Sequence, residues 1–189
     1  MIISIGGTPG SGKSSVGKIL SQKLGMKRYY MGQILRDIAK DKGLTIQQYL
    51  KTGEDDPSVD KDIDTFQKEL GVRQDNFIIE GRTSFLMIPH SVKIFLKTDI
   101  DTAAKRIFKD IQSDPGARNE GEPISIEHTK EQILKRMRTD TIRYRKYYSI
   151  DVFDQKHFDI VIDTTDITPE QISSTIIEKI RHKEEGDAR

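Results

Sequence analysis

Eight residues near the start of the chain, Gly7-Thr8-Pro9-Gly10-Ser11-Gly12-Lys13-Ser14, constrain the fold more than any other stretch. They follow an apolar run, Met1–Ile5. They precede Ser14–Leu24, where Val16, Ile19, Leu20 and Leu24 recur at helical spacing. A strand, a glycine-rich turn over Gly6–Gly12 and a helix, in that order, are the context that the pattern G-x-x-x-x-G-K-[ST] requires. Glycine lets the backbone wrap so that successive N–H groups point inward as an anion nest. The start of the helix adds its positive dipole end. In such a loop Lys13 reaches the β- and γ-phosphates of a nucleoside triphosphate, and the Ser14 hydroxyl ligates Mg²⁺. Gly7, Thr8, Pro9, Gly10, Ser11, Gly12, Lys13, Ser14 and Ser15 are therefore the candidate triphosphate contacts, with Lys13 also a candidate catalytic group. A guanine reader of the form [NT]-K-x-D is missing, because Leu96 stands first in Leu96-Lys97-Thr98-Asp99. No Asp-x-x-Gly switch follows a strand either, so ATP is the expected nucleotide.

The rest of the chain alternates strand and helix signals. Short strands are expected at Lys27–Met31, Asn76–Glu80, Ser91–Leu96 and Phe158–Asp163. Helices are expected at Gln33–Lys42, at Thr45–Thr52 with a Thr45-x-x-Gln48 capping box, and from Asp56-Pro57 to Leu70. Others are expected at Asp101–Ile111, at Glu127–Tyr148, and from a second capping box, Thr168-Pro169-Glu170-Gln171, to Arg181, with fraying from His182. Residues 113–125 hold two Pro and two Gly and read as a loop. This alternation predicts an α/β fold with a parallel sheet. Residues 32–71, all helical, and residues 113–145 break the alternation and read as insertions over the ligand-binding end of that sheet.

Composition narrows the function. The chain has 189 residues, enough for one domain. There are 31 Lys+Arg against 30 Asp+Glu, a balance that argues against a heavily basic nucleic-acid binder. The absence of cysteine excludes a disulfide scaffold, a thiol nucleophile and a Cys-based zinc site. The longest apolar run, Phe85–Ile88, is four residues, too short for a membrane span or a signal-peptide core. A cytoplasmic location is expected.

Three further groups carry charge toward the loop. Glu80 and Arg82 in Ile78-Ile79-Glu80-Gly81-Arg82 end a strand, where an acid helps hold Mg²⁺ through water and an arginine takes a phosphate bidentately. Arg36, early in its helix, gains nothing from the helix dipole and needs an anionic partner. A substrate phosphate would serve, as would one of the six acids at positions 54–64. Arg136, Asp140 and Arg143, spaced i, i+4, i+7, lie within about 60° of arc on one helix face, while Arg138 points roughly the other way. Asp140 can hold both arginines toward one anion, as phosphoryl transfer requires. Arg106 is a weaker candidate for the same work.

These residues give the chain a resemblance to the nucleoside monophosphate (NMP) kinases, most closely the short cytidylate kinases typical of archaea. The resemblance runs almost end to end. It rests on the GTPGSGKS loop, Gly32-x-Ile34 with Arg36, Asp56-Pro57-x-x-Asp60-Lys61-x-Ile63-Asp64-x-x-Gln67, and Glu80-Gly81-Arg82. Arg106, the Arg136, Asp140 and Arg143 set, Tyr147–Asp151 and Phe158–Thr164 extend it. It implies a P-loop three-layer α/β fold with a five-stranded parallel sheet, a helical NMP-binding insertion and a lid. The division would be core 1–31, 72–109 and 146–185, insertion 32–71, and lid region 110–145, in one kinase domain spanning 1–189.

The reaction implied is transfer of the γ-phosphoryl group of Mg·ATP to CMP or dCMP. In that reading Arg36 and Arg82 hold the acceptor phosphate, with Asp60 and Asp64 also on the acceptor side. Arg136 and Arg143 act from the lid side, oriented by Asp140. Arg106 lies near the adenine or the lid hinge, and Asp163–Asp166 flank the adenine. Mg²⁺, bound to Ser14 and through water to Glu80, is the implied metal. The implied partners are small-molecule nucleotides, with no membrane, no nucleic acid and a monomeric chain. Met31, Gln33 and Thr83 depart from the pattern of the relatives, and Met31 and Thr83 bear on the acceptor base. The alternatives are a kinase for UMP, AMP or dTMP, a P-loop ATPase acting as an RNA or assembly switch, and a metabolite kinase for a non-nucleotide alcohol, which would need a base near the γ-phosphate. The second draws on seven Lys/Arg and three Tyr over residues 127–148.

Overall fold

The computed structural model describes residues 1–52, 58–114 and 125–187; the side chains of 58–60, 62 and 184–187 lie outside that description. The cap expected at Asp56-Pro57, the side chain of Asp60 and most of the Pro/Gly-rich loop therefore lie outside the described residues.

Five strands form one parallel sheet. They are β1 (Ile2–Gly7), β2 (Lys27–Tyr30), β3 (Phe77–Glu80), β4 (Val92–Lys97) and β5 (Ile160–Asp163), in the order β2-β3-β1-β4-β5. All four pairings are parallel; Ile5 stands opposite Glu80 on one side and Ile94 on the other. The chain leaves β1 toward one edge and later returns across it to β4. The carboxyl end of β1 is thus the point where strand order reverses, which is where open α/β sheets bind ligands.

Alternation along the strands makes two cores. Ile3, Ile5, Ile78, Ile94, Leu96, Ile160 and Ile162 face α1 (Lys13–Leu24) and α8 (Pro169–Asp187), meeting Val16, Leu20, Ile172, Ile176 and Ile180. Ile2, Phe77 and Ile79 face the other way. They pack with Met31 of α2 (Met31–Asp41), Ile63 and Leu70 of α4 (Ser58–Arg73), and Met87 and Ile88 at α5 (Ser84–Met87). The short α3 (Ile46–Thr52) closes its own small core with α2 through Ala39, Ile46, Tyr49 and Leu50. α6 (Ile100–Ser113) and α7 (Ile126–Tyr148) pack together through Ala104, Ile107, Ile111 and Ile133.

Both capping boxes form: Thr45 and Gln48 exchange bonds of 2.8 and 3.1 Å, and Thr168 and Gln171 bonds of 2.9 and 3.3 Å. Several boundaries differ from expectation. β2 ends at Tyr30, and Met31 already opens α2. The apolar run Phe85–Ile88 carried no helix expectation, yet α5 occupies it. Burial of Ser84, Phe85 and Met87 outweighs a pattern too short to show a period. α8 continues through Asp187 instead of fraying from His182, and Lys183 ties it to Asp159 at 2.7 Å. A single 3₁₀ turn, Gln155–His157, precedes β5 and was not expected.

Candidate active site

A cleft of about 920 Å³ opens over the carboxyl ends of the central strands, at the upper end of the range for small-ligand sites. Its walls bring together the glycine-rich loop, Arg36, Asp64, Glu80, Arg82, Arg106, Arg136, Asp140 and Arg143. Residues separated by more than a hundred positions therefore converge as the sequence analysis expected.

The loop is built by close approach. Gly7 has φ +138°, and a Cβ there would lie 2.0 Å from the Leu96 carbonyl oxygen. Thr8 N–H donates to that same carbonyl at 3.0 Å, so β4 sets the path of the turn. Lys13 folds back onto the loop: its Nζ donates to the carbonyls of Gly7 at 3.0 Å and Thr8 at 2.5 Å. A phosphate entering the nest would offer this ammonium a charged acceptor in place of two neutral ones, which is the stronger bond.

Glu80 ends β3 almost wholly buried, and burial pushes its carboxyl pKa up against the opposing fields of Arg28, Lys13 and Arg36. Its Oε1 accepts from Arg28 Nε, while Oε2 accepts no hydrogen bond among the described residues. The other arm of Arg28, Nη2, donates to Ser14 Oγ at 2.8 Å. Room for Glu80 comes from Gly17 on α1, where a Cβ would sit 2.1 Å from Oε1. Arg28 was absent from the expected site. The strand pattern held its only signal, since Arg28 and Tyr30 share a face of β2 and Tyr30 stands opposite Glu80 in the ladder.

Asp140 is the hub of the cationic side. It is 2% exposed and binds Arg82 Nε through Oδ2 at 2.9 Å and Arg143 Nη2 through Oδ1 at 3.3 Å. Burial works against its charge, but Arg82, Arg143 and Arg136 overcome it and hold the carboxyl below the usual aspartate range. Helix spacing paired Asp140 with Arg136 and Arg143. In the fold Arg82 takes one of those hydrogen-bonding places, and Arg136 contributes through its charge. Arg82 also donates from Nη1 to the Gly7 carbonyl at 2.7 Å, so it stitches α7 to the loop. Arg143 donates to the Leu50 carbonyl at 3.1 Å and to Tyr144 Oη at 2.9 Å, fastening the end of α3 to α7. No spacing rule reveals that link.

Arg36, expected on the acceptor side, is buried. Its Nε and Nη2 reach Gln33 Oε1 at 3.4 and 3.2 Å, and its guanidinium lies 5.0 Å from the Tyr30 ring centre. No carboxylate among the described residues pairs with it. Nearby, Asp64 Oδ1 accepts from Thr83 Oγ1 at 2.8 Å and Gln67 Nε2 at 3.2 Å, and Oδ2 accepts from the Tyr148 hydroxyl. Burial raises the Asp64 pKa despite these donors. Ser84 donates to Gln67 Oε1 at 2.6 Å, which completes a buried polar floor. Met31 and Thr83 both line the cleft here.

Arg106 sits at the opposite end. It donates to the carbonyls of Thr164 at 2.7 Å, Thr165 at 3.0 Å and Gly10 at 3.4 Å, joining the turn after β5 to the glycine-rich loop. Among the described residues no group of three or more His, Asp or Glu side chains is placed to hold a metal ion. A hard cation here would rely on nucleotide phosphates for most of its ligands, as Mg²⁺ commonly does.

Known proteins resemble this chain over nearly its whole length. Residues 2–166 match the model of the cytidylate kinase-like family. A protein of Methanocella arvoryzae named cytidylate kinase is 35% identical over 180 residues, covering 95% of this chain and 97% of the relative. One of the same name from Sulfolobus acidocaldarius is 39% identical over 185 residues, 97% of this chain and 96% of the relative. Among solved structures, an uncharacterized protein from Eubacterium ventriosum matches with a TM-score of 0.67 at 20% identity, over 96% of this chain and 98% of that one. A shikimate kinase from Acinetobacter baumannii, solved with shikimate, matches with a TM-score of 0.60 at 15% identity, over 96% and 93%. At those identities the structures speak for the fold.

Proposed function

The chain belongs to the cytidylate kinase-like family, and on that premise we propose that it transfers the γ-phosphoryl group of Mg·ATP to CMP or dCMP. The observation that carries this reading is one cleft with two anion-seeking ends. The glycine-rich loop and Lys13 receive the triphosphate. Arg36, held by Gln33 and Tyr30, receives the acceptor phosphate, and Arg82, bonded to the Gly7 carbonyl, lines the same cleft.

An acceptor-phosphate oxygen attacks the γ-phosphorus in line as the bond to the β,γ-bridging oxygen breaks. Dianionic CMP and tetra-anionic ATP leave as two trianions, so no proton has to move. A monophosphate with a second pKa of about 6 is already largely dianionic at neutral pH, and a general base is unnecessary. Catalysis then rests on position and charge. Arg82, Arg136 and Arg143 surround the transferring group, and Asp140 keeps the first and last in place. Arg106 supports the loop from the adenine end, where Asp163–Asp166 flank the base.

Glu80 and Ser14 fit Mg²⁺: Glu80 Oε2 is a buried carboxylate oxygen with no partner among the described residues, and Arg28 joins Ser14 Oγ to the other carboxylate oxygen, Oε1. Bound Mg²⁺ would neutralise charge on the β- and γ-oxygens. The Asp64, Gln67 and Thr83 floor offers a carboxylate acceptor and an amide donor to the acceptor base. In this reading residues 1–189 are one kinase domain with an acceptor insertion at 32–71 and a lid region at 110–145, acting as a cytoplasmic monomer. Among the described residues no helix is long and apolar enough to cross a membrane. The test is ADP release from Mg·ATP with each monophosphate supplied singly. Stimulation by CMP supports the reading, and stimulation by no acceptor overturns it.

A further inference from the structure

We propose that Arg28 is a placeholder cation that holds the metal position before Mg·ATP arrives and yields Ser14 to the metal. The inference rests on the Mg²⁺ assignment to Ser14 and Glu80 made above.

The geometry is a fork. One guanidinium reaches both groups assigned to the metal: Nε lies on Glu80 Oε1, and Nη2 on Ser14 Oγ at 2.8 Å. Glu80 needs such a partner, since a carboxylate this buried costs free energy unless a cation stands beside it. Arg28 itself is only partly buried, with a side chain 24% exposed, so it can move where Glu80 cannot. It also has somewhere to rest. Its guanidinium lies 5.2 Å from the Tyr30 ring centre, a cation–π contact that survives when the Ser14 bond breaks.

Arg28 and Mg²⁺ cannot share Ser14 Oγ at comparable distance, because two cations on one oxygen repel. Mg²⁺ must therefore displace a charge-assisted hydrogen bond. Such a bond typically offsets about a factor of ten or more in affinity. The device keeps the buried carboxylate neutralised and Ser14 oriented until nucleotide binds, and it makes the metal compete for its seat. None of the sequence motifs includes Arg28.

The test is calorimetric titration of the full chain at pH 8 with the β,γ-imido analogue of ATP, in EDTA and in Mg²⁺, without acceptor. The quantity read is the gain in nucleotide affinity that Mg²⁺ confers. Arg28→Met is expected to raise that gain about tenfold over wild type. Arg28→Lys keeps a cation for Glu80 but lacks the second arm. It is expected to raise the gain by less, and it decides the matter if Arg28→Met does not fold. An unchanged or smaller gain in the folded variant overturns the placeholder role while leaving the metal site standing. No Mg²⁺ gain in wild type overturns the metal assignment, and this inference with it.

Discussion

Replacing Asp140 by Asn removes one negative charge from the middle of three arginines while keeping the shape of the side chain. In the fold Asp140 is 2% exposed and binds Arg82 at 2.9 Å and Arg143 at 3.3 Å, and Arg143 is 1% exposed. Breaking a buried ion pair by removing one partner costs about 3–5 kcal/mol. Asn still presents one acceptor oxygen, which places the expected loss at the lower end, about 3 kcal/mol. For a chain of this size that is a fall of about 6–12 °C in melting temperature.

The pH dependence has a definite sign. The folded-state pKa of Asp140 is depressed, so its contribution is present above the ordinary aspartate value and is lost as pH falls through the depressed one. The gap between wild type and Asp140→Asn should therefore stay constant from neutral to mildly acid pH and close only in strong acid. Sulfate should stabilise the variant more than wild type, because it supplies the missing anion. Thermal melts across pH, with and without sulfate, decide the case. A variant melting within about 2 °C of wild type at pH 7 would refute the view that this carboxylate holds the arginine cluster together.

Lys13→Ala should lower turnover by at least about a hundredfold, the loss typical of removing one transition-state donor. Its melting temperature should barely change, because Lys13 Nζ bonds to its own loop, and steady-state kinetics with a melt check both statements. Gly17→Ala should destabilise by about 1–3 kcal/mol, because a Cβ 2.1 Å from Glu80 Oε1 forces the buried carboxylate aside; a melt indistinguishable from wild type would contradict that packing. Asp64→Asn should narrow the preference among monophosphate acceptors while ATP affinity stays within about twofold, as the proposed function gives this carboxylate, held by Thr83 and Gln67, to the acceptor base. Competition between CMP and UMP measures it.

The glycine-rich loop, the parallel sheet and both capping boxes were legible because each rests on a pattern close along the chain: φ freedom at Gly7, strand signals alternating with helix signals, and Thr and Gln three residues apart. The spacing of Arg136, Asp140 and Arg143 was legible for the same reason. What α7 meets was not, because Arg82 and the Leu50 carbonyl arrive from distant segments. Arg28 escaped for a related reason. A lone arginine on an edge strand reads as solvated surface until the ladder sets β2 beside Glu80. α5 escaped because so short an apolar run has no period, and the extra turns of α8 because Lys183 finds its acid, Asp159, outside the helix.

ADP release from Mg·ATP, measured with CMP, dCMP, UMP, AMP, GMP and dTMP one at a time and with no acceptor, tests the central claim most directly. Strong stimulation by CMP, with UMP well behind, is the predicted result. ATP binding with no stimulation by any monophosphate would contradict it.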